Sequence, residues 1–91
     1  MDGGDAGGLY FSRFEAGKVT LNSKHRRILG DNIRSVRSAE GLSQSHLGRL
    51  VDHDTAFIRR VEAGGENIPF DTLVAIAKVL KIQVHDLTAG N

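Results

Sequence analysis

The stretch LSQSHLGRLVDHDTAFIRRVEAG, residues 42 to 64, decides the fold. It contains two short helices, each opened by a residue suited to cap it: Ser43 for the first and Asp54 for the second. A turn of a few residues around Asp52 separates them. At about 100° per residue, placing Thr55 at zero puts Arg59, Ala56 and Arg60 at about 40°, 100° and 140°. Phe57, Val61 and Ile58 fall at about 200°, 240° and 300°. One arc of the second helix is therefore polar and reachable and the other apolar. Any amphipathic surface helix divides in this way, but two capped helices joined by a tight turn are the layout of a helix-turn-helix, whose second helix enters the major groove of DNA.

The flanking sequence supplies the rest of a small helical domain. Ser23 is placed to cap a first helix in which Leu29, Ile33 and Val36 recur at i, i+4, i+7. Gly41 stands where the chain leaving that helix needs a left-handed residue. In the second helix Leu47, Leu50 and Val51 are expected to face inward. A fourth helix is expected from near Pro69, with the stripe Leu73, Ile76, Ala77 and Leu80, and a last short helix holds Val84 and Leu87, which, like residues 9–22, could join two subunits. Residues 23–91 thus form one helical unit.

Residues 1–22 read differently. The first eight include four glycines and two aspartates, which have almost nothing to bury, so disorder is expected there. Residues 9–22 carry β-formers on either side of Glu15-Ala16-Gly17-Lys18, compatible with a short hairpin or with an unstructured arm. An isolated hairpin is marginal in water and would need the helical body or a second subunit to lean on.

Composition bounds the function. With 91 residues and 40% hydrophobic content the chain can build one modest core, and the absence of Trp leaves that core to aliphatic side chains. There is no cysteine, so neither disulfides nor thiolate metal sites arise, and a reducing compartment fits. No secretion signal is recognisable in MDGGDAGG, and no apolar run approaches the roughly 20 residues of a membrane span. A soluble, cytoplasmic protein is expected. The net charge of +1 says little about partners, but Lys24, Arg26, Arg27, Arg34 and Arg37 are opposed locally only by Asp31. That stretch is either an anion-binding edge or a solvated face. His25, His46, His53 and His85 lie in separate elements without metal-ligand spacing, and Ser43 with His46 reads as a cap and a surface residue, so neither catalysis nor a metal or other cofactor is expected.

Residues 29–87 as a whole resemble, without a gap, the DNA-binding domain of the lambdoid phage repressors, Cro proteins and the wider XRE family. The resemblance is carried by IRSVR (33–37), Gly41-Leu42-Ser43-Gln44, Ile58, Glu62 with Gly64, and TLVAIAKVL (72–80) followed by HDL (85–87). NIPFDTL (67–73) looks most like the loop of stand-alone controller-type regulators. The resemblance implies an all-α, five-helix, lambda-repressor-like domain with a short N-terminal arm or hairpin. It also implies a regulator that binds an inverted-repeat operator in double-stranded DNA as a homodimer.

Site roles follow from the same resemblance. Gln44 matches a phosphate-contacting glutamine, next to Ser43 and the exposed amides of its helix. Thr55, Ala56, Arg59 and Arg60 match base-facing positions. Arginine can pair bidentately with guanine O6 and N7, while Ala56 and the Thr55 methyl can meet a thymine methyl. For Arg59 and Arg60 a phosphate contact or plain solvation is the alternative. Arg34 belongs to the basic edge and is counted among the DNA-binding candidates. Arg37 and Glu62 match a structural ion pair that joins the first helix to the recognition helix.

Some positions depart from the family pattern. Asp52 and Lys81 replace turn glycines, His46 replaces an acidic capping-box residue, and Gly65 and Glu66 stand where a basic residue often grips phosphate. A second reading remains open at this level. Antitoxins use the same domain, and residues 9–22 could then be the segment that engages a toxin protein.

Overall fold

The computed structural model describes residues 13–15 and 18–90. Its elements are strands β1 (Arg13–Glu15) and β2 (Lys18–Thr20), followed by helices α1 (Ser23–Ala39), α2 (Gln44–Leu50), α3 (Thr55–Glu62), α4 (Phe70–Leu80) and α5 (Val84–Thr88). The two strands pair antiparallel, with Arg13 opposite Thr20, Phe14 opposite Val19 and Glu15 opposite Lys18. Ala16, Gly17 and the glycine-rich residues 1–8 lie outside the described residues.

The helical periodicities translate directly into a core. Leu29 and Ile33 of α1, Leu47 of α2, Ile58 and Val61 of α3, Leu73, Ile76 and Leu80 of α4, and Leu87 of α5 meet in one buried cluster, with Val36 packed at its margin. α3 packs against both α1 and α2, and α5 closes over α1 and α4. The approach of α1 to α3 depends on Gly30. A Cβ there would stand 2.5 Å from the Val61 carbonyl oxygen and 2.7 Å from that of Glu62, so the two helices cross at backbone contact.

Helix ends follow local chemistry. Gly41 leaves α1 at φ +75°, and Leu42 N–H donates to the Arg37 carbonyl at 3.1 Å, closing the last turn. Asp52 and Lys81 take up the same left-handed region, each at φ +63°. Ser43 Oγ accepts from His46 N at 2.9 Å, and Asp54 Oδ1 from Phe57 N at 2.8 Å. α5 is opened by Asp86, whose carboxylate accepts from Gln83 N at 3.0 Å.

Three expectations are corrected. The cap of α1 is Asn22, not Ser23: Asn22 Oδ1 accepts from His25 N at 2.9 Å, and Ser23 is the first helical residue. Asparagine caps as well as serine, and the earlier one starts the helix. Leu50 does not face inward but is 51% exposed. The buried residues Leu47 and Gly48 of α2, with Val51 just past its end, span an arc centred about 110° away from Leu50, so α3 and the core cover a different side. Leu87 is not available to join subunits, because it is fully buried in its own core, and Val84 packs against that core. The side-chain amide of Asn32 further ties the end of α5 to α1, donating to the carbonyls of Leu87 at 2.7 Å and Ala89 at 3.0 Å.

Candidate nucleic-acid interface

α3 lies with Phe57, Ile58, Val61 and Glu62 buried and Arg59 and Arg60 exposed. Thr55 and Ala56, at its first turn, are half-buried. The polar arc therefore faces outward as one surface, while the apolar arc anchors the helix to α1 and α2. Position along the helix axis is fixed at one end by the Asp54 cap and at the other by an ion pair.

That ion pair joins Arg37 of α1 to Glu62 of α3. Nε donates to Oε2 at 2.5 Å and Nη2 to Oε1 at 3.0 Å, a two-pronged contact, while Nη1 donates to the Leu42 carbonyl at 2.7 Å. The Arg37 side chain is 12% exposed and that of Glu62 4%. Arg37 is held above the ordinary arginine value, chiefly by its hydrogen bond to Glu62 and also by that residue's charge, with desolvation opposing both. Its contribution to stability is thus present below the ordinary arginine value and is lost only as pH rises through the still higher folded value. It does not change across neutral pH.

The structure brings Gln44 into the same cluster. Its side-chain Nε2 donates to Glu62 Oε1 at 3.0 Å, so this glutamine is held against the buried carboxylate rather than standing free at the surface. The amide nitrogen keeps a second hydrogen to donate elsewhere. Ser43, beside it, spends its hydroxyl oxygen on the cap of α2. Arg34 is placed apart on α1, paired with Asp31 at 3.2 Å with both side chains largely exposed, an arrangement of little energetic weight.

Arg60 is also partnered. Its Nε donates to Glu66 Oε1 at 2.9 Å, across the loop that follows α3. This contact was not legible in the sequence, because the two residues are six apart and meet only where the chain doubles back. The bond between Gln44 and Glu62 was hidden for a related reason, since it spans two helices. A third contact of this kind places Arg26 between Gly64 O at 3.0 Å and Leu21 O at 2.7 Å, committing two of its donors to the backbone. In the turn, His53 stacks on Phe57 with ring centroids 4.0 Å apart. Among the described residues no three His, Cys, Asp or Glu side chains gather as a metal site, and no helix is long and apolar enough to cross a membrane.

Comparison with known proteins agrees with this geometry. A family model described as the Cro/C1-type HTH DNA-binding domain matches residues 32–89. The chain is similar to the control protein C.SmaI of Serratia marcescens, 34% identical over 62 residues that cover 68% of this chain and 74% of that protein. It is also similar to the control protein C.BamHI of Bacillus amyloliquefaciens, 30% identical over 76 residues, covering 78% of this chain and 94% of that protein. Among solved structures, the restriction-modification controller protein C.AhdI from Aeromonas hydrophila superposes with a TM-score of 0.65 at 31% identity, covering 68% of this chain and 94% of that one.

Proposed function

The chain belongs to the Cro/C1-type helix-turn-helix family of DNA-binding transcriptional regulators, and on that premise we propose that it binds an inverted-repeat operator as a homodimer, acting as a stand-alone regulator of the controller type. The observation that carries this reading is α3. Its outward arc of Thr55, Ala56, Arg59 and Arg60 is continuous, and its inward arc is locked to α1 and α2.

In this reading α3 enters the major groove. Arg59 and Arg60 supply donors for guanine, and Ala56 and the Thr55 methyl supply apolar contact for thymine. Gln44, already bonded to Glu62 through one amide hydrogen, uses the other on a phosphate oxygen beside Ser43, and Arg34, on α1, is a further candidate for the DNA backbone. A helix of eight residues reaches only a few base pairs, so useful specificity requires two copies. Two-fold symmetry then sets the half-site centres about 10 base pairs apart. Similarity to two control proteins and to a restriction-modification controller favours the stand-alone role.

Selection of bound sites from random DNA by the purified chain tests the proposal, paired with sedimentation equilibrium of the free and bound protein. A palindromic consensus with two copies bound is expected. Binding without sequence preference, or as one copy per site, would overturn it. A chain that engages DNA only together with a second protein bound through residues 9–22 would instead favour the antitoxin reading.

A further inference from the structure

Glu66 occupies a place where a negative charge is unhelpful to DNA binding, yet the fold directs it onto the recognition helix. Gly64 N donates to Val61 O at 3.0 Å and Gly65 N to Arg60 O at 2.9 Å, so the chain leaving α3 folds back along its own last turn. Ile68, buried in the core, pins the far end of this loop. Between these anchors Glu66, with its side chain 28% exposed, meets the Nε of Arg60, whose side chain is 55% exposed.

An ion pair this open adds little to stability. Its consequence is geometric. Arginine presents a planar fork of five donors on a long flexible stem, and a free fork can turn toward phosphate as readily as toward a base. With Nε taken by Glu66 Oε1, the rotation of the guanidinium is restricted and the two terminal nitrogens remain for an end-on, two-pronged contact. The carboxylate also offsets the arginine charge and so weakens its pull on the DNA backbone.

We infer that Glu66 is a positioning residue for sequence reading: by accepting the Nε hydrogen of Arg60 it presents the terminal guanidinium nitrogens to a base edge and withholds them from phosphate. This inference rests on the DNA-reading role proposed above for α3. It makes Glu66 a determinant of specificity and not merely a residue unfavourable to phosphate.

The test uses the full chain with Glu66→Ala, Glu66→Gln, Arg60→Ala and the double variant Glu66→Ala/Arg60→Ala. Affinity is measured on the selected operator, on operators altered at the base pair where Arg60→Ala relaxes preference, and on unrelated DNA across a salt series. Glu66→Ala is expected to lower discrimination at that base pair by about 5- to 10-fold, a part of what a two-pronged base contact supplies. It should also tighten binding to unrelated DNA and steepen the salt dependence by about one unit for each Arg60 released to phosphate. Glu66→Gln keeps a carbonyl acceptor for Nε and should restore most of the discrimination, an outcome that removal of charge alone would not produce. In the Arg60→Ala background, Glu66→Ala should leave discrimination unchanged.

Sequence-specific binding in which Glu66→Ala discriminates like the wild type would overturn the inference while leaving the DNA-reading role intact. So would a Glu66→Gln variant that behaves like Glu66→Ala, an equal effect of Glu66→Ala with and without Arg60, or an Arg60→Ala variant that relaxes no base pair. A wild-type chain with no sequence preference would overturn the DNA-reading role itself, and this inference with it.

Discussion

Replacing Arg37 with alanine should unfold the domain well before it affects any DNA contact. The substitution removes both prongs of the contact to Glu62 and the bond from Nη1 to the Leu42 carbonyl. Glu62, at 4% side-chain exposure, then keeps the hydrogen bond from the Gln44 amide. Breaking a buried pair by removing one member typically costs about 3–5 kcal/mol, because the remaining charge is desolvated and uncompensated. For some 70 ordered residues the whole stability is about 3–10 kcal/mol. At about 4–8 °C per kcal/mol for a domain of this size, the melting temperature should fall by at least about 12 °C. Thermal and urea unfolding followed by circular dichroism at neutral pH measure this directly. The double variant Arg37→Leu/Glu62→Leu should be less destabilised than Arg37→Ala, since it leaves no stranded charge. A loss below about 1 kcal/mol in Arg37→Ala would refute the reasoning and show that Glu62 is adequately solvated or held by Gln44 alone.

Four further substitutions probe the packing and the helix ends. Gly30→Ala gains about 1 kcal/mol of helix propensity, yet its Cβ meets the Val61 and Glu62 carbonyls, so a net loss of about 1–3 kcal/mol is expected; a stabilised variant would disprove the close crossing. Lys81→Gly relieves a left-handed residue at φ +63° and should raise the urea midpoint, gaining about 0.5–1 kcal/mol, and an unchanged or lowered midpoint would count against strain there. Asn22→Ala should cost about 1 kcal/mol and Ser23→Ala less than about 0.5, measured side by side by thermal unfolding. The opposite order would return the cap to Ser23.

Much of the architecture was legible because it is periodic. Leu29 with Ile33, and Leu73 with Ile76, Ala77 and Leu80, recur at helical spacing, and each pair or stripe is buried. The division of α3 into an arc of Thr55, Ala56, Arg59 and Arg60 and an arc of Phe57, Ile58 and Val61 follows from 100° per residue alone. Caps such as Ser43 and Asp54 act within three residues, so the chain carries their chemistry locally. The left-handed turn at Asp52, φ +63°, followed instead from the family resemblance, which puts a turn glycine at that position.

Other features depended on which sector of each helix its neighbours cover and on where the chain returns. Leu50 belongs to the same apolar run as Leu47 and Val51, but only the position of α3 beside α2 leaves it in solvent. Leu87 could have served a partner subunit until the closure of α5 over α1 and α4 enclosed it. Gln44 and Glu66 show the same division at the site. Periodicity says that Gln44 opens α2 and that Glu66 follows α3, but a hydrogen bond requires donor and acceptor within about 3 Å, a separation set by helix crossing and loop path. The crossing permitted by Gly30 carries Glu62 to Arg37, where Gln44 joins it, and the loop anchored by Ile68 brings Glu66 to Arg60. The sequence alone determined which residues share the polar arc of α3, because that depends on one helix; the tertiary structure decided how Arg60 and Gln44 are held, because those bonds join parts of the chain that only folding brings together.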